Sequence, residues 1–111
     1  MESVIVSEQA INFVRSQKHI LNPIIVIYRD IAKFGCWYSA KPISFVPKAK
    51  VIDELEINEY FTMFNNDYDI RIWVERALLS KLSENTVFIT AKTGLLKGLK
   101  LDIGLEILKK N

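Results

Sequence analysis

A small α+β domain with a mostly antiparallel sheet, an N-terminal helix and one short second helix is the fold class this chain predicts. Three observations carry that expectation. Strand-like apolar runs outnumber helical ones. Helical spacing recurs only after Ser7 and after Glu75, too little to cover a parallel sheet through alternating crossovers. Two arms of a hairpin flank the turn-forming cluster Asn65-Asn66-Asp67.

Val4-Ile5-Val6 opens the chain as a short strand. Ser7 then reads as an N-cap, with Glu8 and Gln9 in the first turn, where negative charge is favoured. Ala10, Phe13, Val14 and Gln17 continue at helical spacing to about Lys18. Asn22-Pro23 breaks the helix and launches a strand over 24–29, whose unbroken apolar run predicts cover on both faces. Pro42 and Pro47 bracket a short edge strand over 43–46. Residues 48–57 fit a helical turn or an irregular connection equally well.

The hairpin spans 59–64 and 68–75. In its second arm Tyr68, Ile70, Ile72 and Val74 share one face and Asp69, Arg71, Trp73 and Glu75 the other. A short helix over 75–82 follows, with Ala77, Leu78 and Leu82 inward, and then a strand over 87–90. Leucine and lysine content would allow a closing helix, but Gly94, Gly98 and Gly104 oppose it, at about 1 kcal/mol each. Alternation of Leu99, Leu101, Ile103, Leu105 and Ile107 against Lys100, Asp102, Gly104 and Glu106 predicts a strand instead.

At 111 residues, with 50% apolar and 25% charged side chains, the chain suits one domain, 1–111, with one core. A net charge of +2 is too small to imply nucleic-acid binding. No apolar run approaches the roughly 20 residues that span a bilayer. The opening residues lack a secretory pattern, and one cysteine forms no internal disulfide, so the expected setting is cytoplasmic. Charge is uneven. Residues 53–69 hold Asp53, Glu54, Glu56, Glu59, Asp67 and Asp69 and no cation, whereas Lys92, Lys97, Lys100, Lys109 and Lys110 follow Thr90. These read as solvated faces, or as opposite patches meeting across a homodimer.

Several stretches together resemble the HesB-like family of A-type iron–sulfur cluster carriers. They are the strand-to-helix start at 4–10, the strand Ile25-Val26-Ile27-Tyr28, Phe34-Gly35-Cys36, the hairpin at 61–74, Leu78-Leu79-Ser80-Lys81-Leu82, and the closing strands around 86–90 and 98–101. The resemblance implies a HesB-like topology and a first-cysteine loop at Cys36. The chain departs from the family where chemistry is concerned. The family's Gly-Cys-Ser-Gly reads Gly35-Cys36-Trp37-Tyr38 here, and the C-terminal Cys-Gly-Cys is absent. The resemblance therefore implies a degenerate member, a non-enzymatic binding or iron–sulfur assembly accessory protein, with a homodimer as the expected assembly.

Cys36 has three readings. It is a buried small hydrophobe, a reactive thiol activated by Arg29 or Lys33, or one ligand of an iron or iron–sulfur centre shared between two protomers, with Asp30 or Tyr38 assisting. The second reading gives the alternative function, a thiol-based redox protein. A third function is a structural dimerisation module. Trp37, Tyr38 and Trp73 form the candidate partner surface, because aromatics concentrate in interface cores. Trp73 stands on the polar face of its strand, so another element covers it or an interface uses it. His19, the only histidine, reads as a helix-end or exposed residue. Asp53, Glu54 and Glu56 read as a solvated bend rather than an acid–base pair. The stretch Gly94 to Gly98 lacks the spacing of a phosphate loop.

Overall fold

The computed structural model describes residues 3–31, 45–64, 66–94 and 97–103. Strand β1, Ser3–Val6, leads into helix α1, Glu8–Arg15. Ser7 caps the helix as its sequence predicts: its Oγ accepts the Ala10 N–H at 3.1 Å. The helix ends three residues earlier than its spacing suggests. Ser16 takes over there, its N–H reaching back to the carbonyls of the last turn and its Oγ donating to the Phe13 carbonyl at 2.6 Å.

Strand β2, Pro23–Ile31, pairs along its whole length with β3, Phe45–Asp53, from Pro23 opposite Asp53 to Ile31 opposite Phe45. This resolves the ambiguous 48–57 segment as mostly strand; of the expected edge strand over 43–46, residues 43–44 lie outside the described residues, and Phe45 and Val46 belong to β3, which continues through Pro47. Proline is tolerated there because β3 lies at the sheet edge. A 3₁₀ turn, Glu54–Glu56, follows. Strands β4, Phe61–Phe64, and β5, Ile72–Glu75, pair antiparallel as expected, with Met63 opposite Trp73, but the second arm is shorter than the expected 68–75: residues 68–71 belong to the bent connection, not to the strand. Asn66 shapes its connection by accepting the Tyr68 N–H at 2.7 Å.

A 3₁₀ turn, Arg76–Leu78, precedes α2, Leu79–Leu82. Leu78 and Leu82 are buried, but Ala77 is exposed, against the sequence expectation. The tighter first turn rotates it away from the core. Strands β6, Thr86–Ala91, and β7, Leu99–Ile103, close the described chain. The predicted strand character of 99–107 holds for 99–103; Leu105 and Ile107 lie outside the described residues. Gly94, at φ +91°, supplies the left-handed position in the β6–β7 connection.

The strands form two mixed sheets, ordered β1-β6-β7 and β3-β2-β5-β4. Three described pairs are antiparallel, but β1–β6 and β2–β5 are parallel. The expectation of a mostly antiparallel sheet missed both parallel pairs. The coarse class stands: this is an α+β domain with two helices.

One core lies between the sheets. Val4 and Val6 of β1, Val87 and Ile89 of β6, Ile25 and Ile27 of β2, and Ile72 and Val74 of β5 meet there, plugged by Ala10 and Val14 of α1 and by Leu78 and Leu82. Burying such aliphatic side chains contributes roughly 1.5–3 kcal/mol each before entropy is counted.

Candidate partner surface on the four-stranded sheet

Strand alternation assigns the two faces of the larger sheet. Ile25, Ile27, Ile72 and Val74 point into the common core. Ile24, Val26 and Tyr28 of β2, Trp73 and Glu75 of β5, and Phe61 and Met63 of β4 therefore point outward. Yet Val26 is 0% exposed, and Ile24 is also buried. Something covers the outer face at its centre, as the unbroken apolar run of β2 predicted.

The cover is the β3–β4 connection. Strand β3 ends beside Pro23, and β4 begins beside Glu75 at the opposite end of the sheet. Residues 54–60 must therefore cross the face of β2 and β5. Glu54 shows which face. Its carboxylate pairs with the Arg71 guanidinium through one oxygen and accepts the Trp73 Nε1–H through the other at 3.3 Å. Trp73 belongs to the outer face of β5, and Arg71 immediately precedes that strand. A cleft of about 500 Å³ remains beside the crossover, floored by Val26, Ile52 and Phe61 and walled by Tyr28, Lys50 and Tyr60.

The crossover and β4 carry apolar side chains into solvent. Leu55 is 79% exposed, Tyr60 66% and Met63 50%. They lie on the same side as the half-buried Trp73. Of these, Met63 stands directly opposite Trp73, while Leu55 and Tyr60 stand near the two ends of the crossover; several large exposed apolar side chains on one face differ from the isolated ones common on any protein surface.

At the far end of β2, ion pairs fix the geometry. Glu75 accepts the Arg29 backbone N–H at 2.8 Å and the guanidinium Nε–H at 2.9 Å. Arg29 also lies over the Phe45 ring, 5.1 Å from its centroid. Lys48 pairs with Asp30 at 2.8 Å, and Lys50 lies over the Tyr28 ring at 4.5 Å. The hydrogen bond and charge of Asp30 hold the Lys48 ammonium above its ordinary value of 10.5. Burial, and then the charge of Asp30, push the Tyr28 phenol above 10.0, against the opposing charge of Lys48.

Both shifts have the same consequence for stability. Each group has a folded pKa above its unfolded one, so its contribution is whole below the unfolded value and is lost as pH rises through the folded value. Urea midpoints are expected to fall as pH rises above 10.0, the ordinary tyrosine value, and Tyr28→Phe with Lys48→Met should flatten that limb. An unchanged alkaline slope in the double variant would rule out this pair as its source.

The residues singled out by sequence fare unequally. Cys36, Trp37, Tyr38 and Lys33 lie outside the described residues, so the readings of the thiol rest on sequence alone. The Arg29 guanidinium is engaged by Glu75 and Phe45, and Asp30 by Lys48. His19 is exposed and sits beyond the helix end. The three carboxylates do not form an acid–base pair: Asp53 accepts the Leu55 N–H at 3.1 Å, Glu54 holds Arg71 and Trp73, and Glu56 is exposed. Sequence reasoning missed Tyr60 and Met63, and it missed Glu54 as the partner of Trp73. The isolated aromatic on a polar strand face was the available signal.

No protein-family model matches the chain, and no curated protein matches it. Among the described residues no group of three or more His, Cys, Asp or Glu is placed to hold a metal ion, and no helix is long and apolar enough to cross a membrane.

Proposed function

We propose that this chain is a degenerate HesB-like protein, a non-enzymatic binding protein accessory to iron–sulfur assembly. It would self-associate as a homodimer through the outer face of the four-stranded sheet. The observation that carries the reading is the half-exposed Met63 directly opposite Trp73 on that face, with Leu55 and Tyr60 exposed on the crossover that spans it. Large, rigid aromatic and flexible methionine side chains are what interface cores favour. The family resemblance draws support from the element order: strand, helix, a β2–β3 pair, a second hairpin, a short helix and a closing hairpin.

The iron–sulfur cluster itself does not fit a single chain. Cluster iron is held mainly by thiolates, and this sequence has one cysteine and one histidine. No step is therefore assigned to a resident cluster, and the expected role is contact with an assembly partner.

Anaerobic incubation with ferrous iron and sulfide tests this division. The isolated protein is expected to emerge without iron–thiolate absorption after desalting. A stable chromophore that disappears in Cys36→Ser would contradict it and would place a shared cluster between protomers.

A further inference from the structure

We propose that the outer edge of β1 takes an extended, lysine-bearing peptide strand from a partner protein, seated in the cleft between β1 and the end of β4. This edge lies apart from the outer face of the four-stranded sheet, and its use does not depend on that face.

Two sheets enclose the core, and each has two edge strands. On one side the edge strands β3 and β7 pack against each other and close the molecule. On the other side the edge strands are β1 and β4. A cleft of about 620 Å³ opens there, lined by Val4 and Ile5 of β1, by Phe64 of β4, and by Asp67 and Tyr68 of the β4–β5 connection. Successive side chains of β1 point to opposite faces, Val4 into the core and Ile5 toward solvent. A cleft that touches both therefore runs along an edge of β1, and β6 already occupies the other edge.

Main-chain bonding says what this edge offers. The Ser7 N–H donates to the Ile89 carbonyl at 2.9 Å, so Ser7 faces β6. Bonding alternates along a strand of a parallel pair, which turns Ser3 and Ile5 toward β6 as well. The N–H and C=O groups of Val4 and Val6 point the other way, and no main-chain partner meets them among the described residues. Such groups are costly to leave unpaired on residues only 6% and 5% exposed. An extended backbone laid along β1 satisfies them by strand addition. Nothing on β1 opposes it, since Ser3-Val4-Ile5-Val6 carries no charge and no proline to guard the edge. The four residues of β1 set the length, about 13 Å at roughly 3.3 Å per residue.

Charge selects the occupant. Asp67 is exposed, and it is the one charged side chain among the described residues lining the cleft. A second copy of β1 would bring no cation to it. A partner strand that alternates apolar residues with lysine meets both demands. Its apolar side chains join Val4 and Phe64, and an ammonium pairs with Asp67.

NMR of the isotope-labelled protein tests this, with an acetylated, amidated pentapeptide of alternating valine and lysine as the probe. In the free protein the Val4 and Val6 amides are expected to exchange about a hundredfold faster than those of Ile5 and Ser7. Added peptide should shift the Val4, Ile5 and Tyr68 signals saturably, with a Kd below about 1 mM, and should slow exchange at Val4. Glutamate in place of the peptide lysines should weaken binding severalfold, and so should Asp67→Lys, which changes an exposed residue and spares the core. The two changes together should restore it. N-methylation of the peptide valines removes main-chain donors and should abolish binding. Absence of saturable shifts, or undiminished binding of the N-methylated peptide, would overturn strand addition. Binding indifferent to Asp67→Lys would overturn the basic partner. Val4 and Val6 amides already protected in the free protein would also overturn the proposal, because another part of this chain or a second copy would then hold the edge.

Discussion

Ile72→Ala is expected to cost about 3 kcal/mol of stability, within the range for deleting a fully buried aliphatic side chain. For a chain of this length that is a fall in Tm of roughly 15 °C. The size follows from position. Ile72 is 0% exposed and pairs with Ile25 on one side and Phe64 on the other, so the loss is felt across three strands of the larger sheet. Strands already paired on both sides cannot collapse easily into the cavity, which keeps the cost high. Leu55→Ala is the matched control, since its side chain meets mostly water. It should change stability by no more than about 0.5 kcal/mol. Thermal melts of the two variants against the parent decide the matter. Equal melting temperatures would mean that Ile72 is not part of the core described.

Much of this fold was legible because its signals are local. Ser7 followed by Glu8, the break at Pro23, and the alternation around Ile72 and Val74 each specify their own segment. The parallel pairings of β1 with β6 and β2 with β5 were not legible. They join segments far apart in sequence, and nothing in Val4 or Val26 names its partner. Segment 48–53 looked ambiguous because Lys48 and Lys50 interrupt its apolar residues. At an edge strand those lysines lie over Tyr28 and against Asp30, where their charge also guards the edge.

The surface was half legible. Trp73 announced itself as an aromatic on a polar face. Tyr60 and Met63 did not, since their exposure depends on where the β3–β4 connection crosses the sheet. That crossing follows from the parallel β2–β5 pair, which sequence periodicity does not report. The acidic stretch was read as a solvated bend, and most of it is one. Glu54 is the exception, because the crossover brings it within reach of Arg71 and Trp73.

Met63→Lys is expected to have the largest effect on assembly. Met63 sits opposite Trp73 in the β4–β5 register and is half exposed, so the substitution spares the core. In a self-associated face, however, an unpaired ammonium would be desolvated against apolar neighbours, or against its own symmetry copy. A weakening of tenfold or more, about 1.4 kcal/mol, is expected. Sedimentation equilibrium of the wild-type protein and Met63→Lys, at matched concentration and with matched melting temperatures, is the most direct measurement of this surface. The account predicts a wild-type dimer and a Met63→Lys monomer with the same fold. A wild-type monomer, or a Met63→Lys dimer of unchanged affinity, would contradict it.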